Sequence, residues 1–238
     1  MFGAIPKRAW SRKLSSDSQN RCLMGMNCVL VWTDDRLVLI DAGVGSKDLG
    51  KLSYYDFQHN RDIRELVSEA GFQPEDVTDV ILTHLHFDHC GGCTYTDSQA
   101  KPMVAFPRAK HHVGTKQWDS YQHPNYLEAD SFRPQDMMPV YEAGLLHQID
   151  EPLELFPGLR IEVYDGHTRG QLAVVIEGEE EQVVVPGDVI PTQHHLSDAW
   201  ISAYDIEPLL SLASKQALKA TYPPSRCRYV FYHDSPQS

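Results

Sequence analysis

The sequence predicts a four-layered α/β fold. Short apolar segments typical of strands occur in both halves of the chain, and segments with helical periodicity lie between them. The composition, with 42% hydrophobic and 23% charged residues, is that of an ordinary globular protein. Since no repeat, linker or low-complexity tract interrupts the sequence, we expect one domain over residues 1–238.

The first half of the chain predicts strand, strand, helix and strand in that order. Two apolar segments, residues 28–32 and 37–40, flank four turn-forming residues and predict a hairpin. Apolar residues at helical spacing in residues 61–70 predict a helix that Gly71 caps. Residues 77–83 predict a buried strand that leads directly into a histidine-rich segment.

The second half begins with residues 99–146, which carry five prolines and are expected to be irregular. Beyond them we expect three strands, a helix and a closing strand, at residues 160–164, 173–177, 183–185, 206–220 and 228–232. The apolar residues of that helix are expected on one side of it: Leu209, Leu210, Ala213, Ala217 and Leu218.

The charge of the chain disfavours a nucleic-acid substrate. Its 21 basic and 33 acidic side chains give a formal net charge of −12, which repels phosphate backbones. The sequence shows neither a secretory signal nor a bilayer-spanning apolar stretch, so no membrane partner is expected. The five cysteines lack a disulfide-framework spacing, and a cytoplasmic protein is therefore predicted.

Four potential metal ligands fall within six residues: His84, His86, Asp88 and His89. Side chains two residues apart in an extended segment point the same way, so His84 and His86 could bind one ion. Gly91 and Gly92 permit the tight turn that would let the other two ligands face a second ion. Imidazole and carboxylate without thiolate suit Zn²⁺, with Fe²⁺ or Mn²⁺ as alternatives.

These residues resemble a known signature. His84-x-His86-x-Asp88-His89-x-Gly91-Gly92 is similar to the first motif of the metallo-β-lactamase superfamily. Three further segments resemble its later motifs in order: Gly166-His167-Thr168-x-Gly170, Pro186-Gly187-Asp188 and His233-Asp234. The resemblance implies the four-layered αββα sandwich of that superfamily and a metal-dependent hydrolase.

The resemblance also implies a ligand set for two divalent metal ions, with zinc expected. His84, His86 and His167 would hold the first ion, Asp88, His89 and His233 the second, and Asp188 would bridge both. The nucleophile would be a hydroxide shared by the two ions. Asp41, in an aspartate-glycine turn of the kind common in the family, is expected to support the ligands.

The stretch from Pro186 to Leu196, with Trp200 and Tyr204-Asp205, is similar to quorum-quenching lactonases of the superfamily. A small-molecule lactone or ester, such as an N-acyl-homoserine lactone, is the expected substrate. The best-known acyl-homoserine lactonases carry a tyrosine three residues after the bridging aspartate, where this chain has Pro191. Asp88, His195 or Tyr204 would have to replace it, and the catalytic candidates are Asp88, Asp188 and His195.

Alternatives remain open at this point. A glyoxalase II-like thioester hydrolase or a phosphotriesterase would use the same ligands. A metal-binding accessory protein without turnover is the non-enzyme alternative, and a homodimer is a further open point. Cys90-Gly91-Gly92-Cys93 has no second CxxC to complete a zinc site, so packing is the expected role of its cysteines.

Overall fold

The computed structural model describes residues 1–235. Their contacts form two compact units. The central unit is Cys28–Ile149, and the terminal unit consists of Met1–Asn27 together with the chain from Asp150 onward. The expectation of one domain over residues 1–238 stays a prediction.

The helices, in chain order, are α1 (Lys7–Trp10), α2 (Ile63–Glu69), α3 (Phe87–Cys90), α4 (Thr115–Gln122), α5 (Pro134–Glu142) and α6 (Pro208–Thr221). The strands are β1 (Val29–Trp32), β2 (Leu37–Ile40), β3 (Asp79–Ile81), β4 (Thr94–Thr96), β5 (Pro102–Val104), β6 (Lys110–Gly114), β7 (Leu146–Ile149), β8 (Leu153–Phe156), β9 (Leu159–Tyr164), β10 (Gln171–Glu177), β11 (Gln182–Val185) and β12 (Cys227–Tyr229). Within residues 1–235, no helix has the length and apolar character needed to cross a bilayer.

The central unit contains a five-stranded sheet in the order β1-β2-β3-β6-β7. β1 and β2 form the predicted antiparallel hairpin, and the remaining pairs are parallel. β3 lies in the middle of the sheet, and its Val80 and Ile81 are fully buried. Because parallel strands end at the same edge, the residues that follow β2 and β3 emerge side by side there.

The terminal unit contains a second five-stranded sheet, in the order β12-β11-β10-β9-β8. β10 is its central and longest strand, buried from Gln171 to Val175, and it pairs antiparallel with β9 and β11. β12 closes the sheet parallel to β11. The turn between β9 and β10 contains His167, and Asp188 follows β11, so the sheet positions both.

The expectation of irregular structure over residues 99–146 is wrong. This segment contains β5, β6, α4 and α5 and ends in β7, and β6 is a central strand of its sheet. β6 has the sequence KHHVG, and its polar histidines hide the apolar pattern that would reveal a buried strand. Pro134 begins α5 instead of breaking it, because the first helical turn needs no N–H from proline.

Of the apolar residues expected on one side of the last helix, Leu218 is buried, but the others do not form its buried face. Leu209 is 85% exposed in α6, whereas the buried residues are Ser211, Ser214, Lys215 and Leu218. Small serines face inward because the backbone of the His167 turn approaches the helix there. A Cβ atom added to Gly166 would lie 2.3 Å from the Cα atom of Ser211, so the turn and the helix backbone are in direct contact there.

The remaining predicted elements are present with shorter or shifted ends. The strand expected over residues 77–83 is limited to Asp79–Ile81, and the closing strand expected over residues 228–232 is Cys227–Tyr229. β8 was not expected from the sequence.

Candidate metal centre

The histidine-rich segment of the central unit begins at His84, three residues after the end of β3. His86 has extended backbone angles and precedes the single helical turn α3. His84 Nε2 and His86 Nδ1 lie 3.1 Å apart, as the alternation of side chains in an extended segment predicts. Two nitrogens on one tetrahedral zinc ion would be separated by roughly 3.3 Å, from zinc–nitrogen distances near 2.0–2.1 Å. The pair therefore fits two ligands of one ion.

Asp88 and His89 lie in the helical turn α3, and their side chains face each other. The Nδ1 atom of His89 lies 2.9 Å from Asp41 Oδ2, whereas its Nε2 atom lies 3.9 Å from Asp88 Oδ2. The Nδ1 atom is thus committed to Asp41, and Nε2 and the Asp88 carboxylate face each other. His89 is fully buried, and the Asp88 side chain is about a quarter exposed.

Asp41 joins the ends of two neighbouring strands. It follows β2, and its Oδ1 accepts a hydrogen bond from the backbone N–H of Thr83 at 2.8 Å. Its Oδ2 accepts from the Thr83 hydroxyl, also at 2.8 Å, and that hydroxyl lies 3.2 Å from His84 Nδ1. Asp41 is 1% exposed and has a left-handed φ of 58°. The sequence-based expectation that Asp41 supports the ligands therefore agrees with its contacts to His89 and Thr83.

The glycines after α3 allow two backbone segments to touch. A Cβ atom on Gly91 would lie 2.2 Å from the carbonyl oxygen of Val44, and one on Gly92 would lie 2.1 Å from that of Ala42. Both distances are far below van der Waals contact, so a side chain at either position would push the loop after β2 away from the histidine-rich turn. Glycine is needed there for close packing, as the sequence suggested for the CxxC segment.

Glu128 is a buried acid that the sequence did not reveal. It lies in the loop between α4 and α5, next to Tyr126 and Leu127, which are 97% and 73% exposed. Glu128 itself is 1% exposed, and its Oε1 lies 3.8 Å from His86 Nε2. Since the Nδ1 atom of His86 faces His84, the Glu128 carboxylate lies behind the ring. No local motif marks this residue.

The terminal unit brings together the other three predicted ligands. Asp188 Oδ2 lies 3.5 Å from His167 Nε2 and 3.4 Å from His233 Nε2. All three residues are buried. One carboxylate oxygen between two imidazole nitrogens is the arrangement expected of a group that two cations share.

The second nitrogen of each of these imidazoles is held by a different acceptor. His167 Nδ1 lies 2.9 Å from Asp205 Oδ1, and His233 Nδ1 lies 3.0 Å from the carbonyl oxygen of Gly25. Both acceptors require a proton on Nδ1, which leaves the Nε2 lone pairs directed toward Asp188. Both rings are thus oriented with Nε2 toward the Asp188 carboxylate.

His195, the third predicted catalytic residue, lies in apolar surroundings. It is 1% exposed, stacks on Phe2 with ring centroids 6.2 Å apart, and meets Trp200 edge-on. Its Nδ1 lies 2.8 Å from the Thr192 hydroxyl. Burial lowers the pKa of His195 to about 4, so the ring is neutral at pH 7. Its catalytic role stays a prediction.

The cysteines next to the histidine-rich turn are packed in the core of the central unit. Cys90 and Cys93 are fully buried, and burial raises the pKa of both thiols. The Cys90 thiol lies 3.3 Å from the carbonyl oxygen of Leu85. A buried, protonated thiol is a poor nucleophile and a poor ligand, which agrees with the packing role expected for the CxxC segment.

Comparison with known proteins points to one family. The family model described as the metallo-beta-lactamase superfamily matches residues 24–226. An N-acyl homoserine lactonase of Bacillus cereus is 24% identical over 224 residues, which cover 88% of this chain and 81% of the lactonase. A probable metallo-hydrolase of Mycobacterium bovis is 25% identical over 178 residues, covering 67% of this chain and 55% of that protein.

Solved structures of hydrolases have a similar fold. A probable metal-dependent hydrolase from Staphylococcus aureus superposes with a TM-score of 0.89 at 26% identity, covering 98% of this chain and 83% of that one. An N-acyl homoserine lactone hydrolase, solved with N-hexanoyl-L-homoserine bound at its catalytic metal centre, superposes with a TM-score of 0.73 at 22% identity. That match covers 95% of this chain and 88% of the other.

Proposed function

The chain belongs to the metallo-beta-lactamase superfamily, and we propose that it is a hydrolase that uses two divalent metal ions to open a lactone or a related ester. The metallo-β-lactamase fold predicted from the sequence is confirmed by the family match and by the structural neighbours. Homologues in this family support a metal-dependent hydrolase. The number of ions and the ester class belong to the proposal.

The observation that carries the proposal is the position of Asp188. Its Oδ2 lies within 3.5 Å of the Nε2 atoms of both His167 and His233, so one oxygen is shared by two imidazoles. We assign the first ion to His84, His86 and His167, and the second to Asp88, His89 and His233. Asp188 would contact both ions.

The donor set suits the metals that the sequence suggested. Five imidazole nitrogens and two carboxylates, without a thiolate, favour zinc and also accommodate iron or manganese. Ions bound there would lower the pKa of a shared water and polarise the carbonyl of the ester. The chain's own groups orient the ligands, through the contacts of Asp41, Glu128 and Asp205 with His89, His86 and His167.

We propose that Asp88 moves the proton during ester cleavage. It is the one member of the seven ligands that is not buried, with a side chain about a quarter exposed. A carboxylate that reaches solvent can take a proton from the attacking water and return it to the leaving alkoxide. His195, which is enclosed by Phe2 and Trp200, remains the other candidate for this role.

The substrate proposal is supported by relatives that are N-acyl homoserine lactonases. A small lactone is therefore the substrate to test first. A thioester or phosphotriester hydrolase would use the same ligands and is a separate outcome of the same panel. A small-molecule substrate and a cytoplasmic location remain part of the proposal.

The test is a turnover panel with the zinc-loaded protein. N-acyl-homoserine lactones, simple lactones, thioesters and phosphotriesters are compared by the release of acid or of a chromophore. We expect the lactones to give the highest kcat/KM. The variant His86→Gln should lose nearly all turnover, whereas His123→Gln should retain it, because the His123 side chain is 76% exposed. Full activity of His86→Gln would contradict the metal-dependent mechanism. A higher kcat/KM for another ester class would contradict the lactone as substrate.

A further inference from the structure

We infer that Asp205 is a positioning residue that fixes the orientation and the tautomer of His167, and that Ser211 in α6 holds Asp205 in place. The inference rests on the proposed function, because it takes His167 as a metal ligand. Neither residue belongs to a motif of the ligand set, and Asp205 lies 38 positions beyond His167 in the chain.

The geometry assigns one carboxylate oxygen to each partner. Asp205 Oδ1 lies 2.9 Å from His167 Nδ1, and Asp205 Oδ2 accepts a hydrogen bond from the Ser211 hydroxyl at 2.6 Å. The side chains of Asp205 and His167 are 3% and 2% exposed. In such a buried setting both interactions are shielded from competing water, so each should hold the carboxylate firmly.

The consequence for His167 follows from the chemistry of imidazole. A carboxylate oxygen accepts hydrogen bonds, so the proton of a neutral His167 ring lies on Nδ1. The lone pair is then on Nε2, which lies 3.5 Å from Asp188 Oδ2. Hydrogen bonding to a carboxylate also makes the other nitrogen a stronger donor to a cation. Asp205 thus selects the tautomer that can bind a metal.

Backbone contacts place the start of α6 directly against the His167 turn. The N–H of Ile206 donates to the carbonyl oxygen of His167 at 3.2 Å, and the N–H of Glu207 donates to that of Gly166 at 2.9 Å. Gly166 has a φ of 134°, and a Cβ atom there would lie 2.3 Å from the Cα atom of Ser211. The turn and the helix therefore form one rigid piece that fixes the distance between Asp205 and the ring.

The central unit uses the same arrangement independently. Asp41 Oδ2 lies 2.9 Å from His89 Nδ1, on the side of the ring away from Asp88. A buried carboxylate behind an imidazole ligand thus occurs in both units. This repetition favours a role in ligand orientation for Asp205 over a purely structural ion pair.

The experiment compares Asp205→Asn and Ser211→Ala with a matched control, Asp198→Asn. Asp198 lies a few residues earlier, is about half exposed and pairs with Lys219, so it does not contact the ligands. Zinc-free protein is titrated with Zn²⁺ against a chromophoric chelator. We expect Asp205→Asn to weaken one of two zinc affinities by roughly 10–100-fold, Ser211→Ala to weaken the same one less, and Asp198→Asn to change neither.

A second measurement needs no metal. Nitrogen NMR of the zinc-free protein reports which ring nitrogen of His167 carries the proton. We expect Nδ1–H in the wild type and in Asp198→Asn, and a mixture of tautomers in Asp205→Asn. The double variant Asp205→Asn/Ser211→Ala should resemble Asp205→Asn, because the serine acts through the carboxylate.

The outcomes separate the two claims. Unchanged zinc affinity and an unchanged His167 tautomer in Asp205→Asn would overturn the positioning role, even if the variant unfolds more easily. A wild type that binds no zinc would overturn the proposed function. In that case the tautomer measurement decides by itself whether Asp205 orients His167.

Discussion

The buried charges beneath the histidine-rich turn allow a quantitative prediction. Lys47 is 6% exposed, and its Nζ lies 3.2 Å from Asp136 Oδ1 and 2.6 Å from the carbonyl oxygen of Thr94. It also donates to the carbonyl oxygen of Gly91, directly after α3. The substitution Lys47→Met keeps the length and the apolar stem of the side chain but removes the charge and all three contacts.

The expected cost follows from what remains buried. Asp136 would retain its two contacts with Arg133, at 2.8 and 2.7 Å, but would lose one of its two cationic partners. Breaking a buried ion pair by removing one partner costs about 3–5 kcal/mol, and the retained arginine places this case near the lower limit. The Gly91 and Thr94 carbonyl groups would also lose a donor, which adds about 1 kcal/mol each. We therefore expect the free energy of unfolding to fall by about 3–5 kcal/mol.

The assay is urea unfolding followed by circular dichroism, with Lys51→Met as the control. Lys51 has a side chain that is 77% exposed and pairs with Asp48 on the surface. Exposed pairs contribute about 0–1 kcal/mol, so the control should unfold close to the wild type. If Lys47→Met lost no more stability than Lys51→Met, the buried cluster would not hold the turn, and the reasoning would be refuted.

Three further predictions follow from individual contacts. Gly92→Ala should lower both zinc affinity and stability, because the added Cβ would lie 2.1 Å from the Ala42 carbonyl oxygen. Gly50→Ala is the control, since the space around Gly50 is open. Equal effects of the two variants in a metal titration would contradict the role of Gly92. Burial raises the pKa of Asp79, but hydrogen bonds from His112, Thr78 and Arg36 outweigh it and lower that pKa to about 2. The stability that Asp79 contributes is therefore present above about pH 4 and lost as the pH falls toward 2. In Asp79→Asn the free energy of unfolding should depend less on pH across that window than in the wild type. An unchanged pH dependence would count against this prediction. Glu128→Gln should weaken zinc binding at the His84–His86 pair more than Glu142→Gln does, and equal titration curves would argue that Glu128 does not support His86.

The grouping of the predicted ligands within each unit could be anticipated from the sequence because these residues occupy local motifs. His84 and His86 alternate in an extended segment, so their approach to 3.1 Å follows from strand geometry alone. Only the family motif predicted that Asp188 lies beside His167 and His233. The pairing of Asp188 with both His167 and His233 is a tertiary contact over 21 and 45 residues.

The residues behind the ligands could not be predicted in the same way. Asp205 and Glu128 contact their histidines across 38 and 42 residues. The lactonase resemblance includes Asp205 but does not indicate its contact with His167, and no motif includes Glu128. β6 could not be predicted for a related reason. His112 is a buried residue of this strand whose ring lies 2.8 Å from the Asp79 carboxylate, and a polar histidine does not mark a buried strand in the sequence. The inward face of α6 depends on the close approach of Gly166, which periodicity cannot show.

The most direct test of the account is the zinc content of the protein after dialysis against limiting free Zn²⁺, measured by elemental analysis for the wild type and for Asp188→Asn. Two ions per chain in the wild type, and fewer in the variant while it remains folded, are the predicted result. One ion or none in the wild type, or two retained by Asp188→Asn, would contradict a pair of metals sharing that carboxylate.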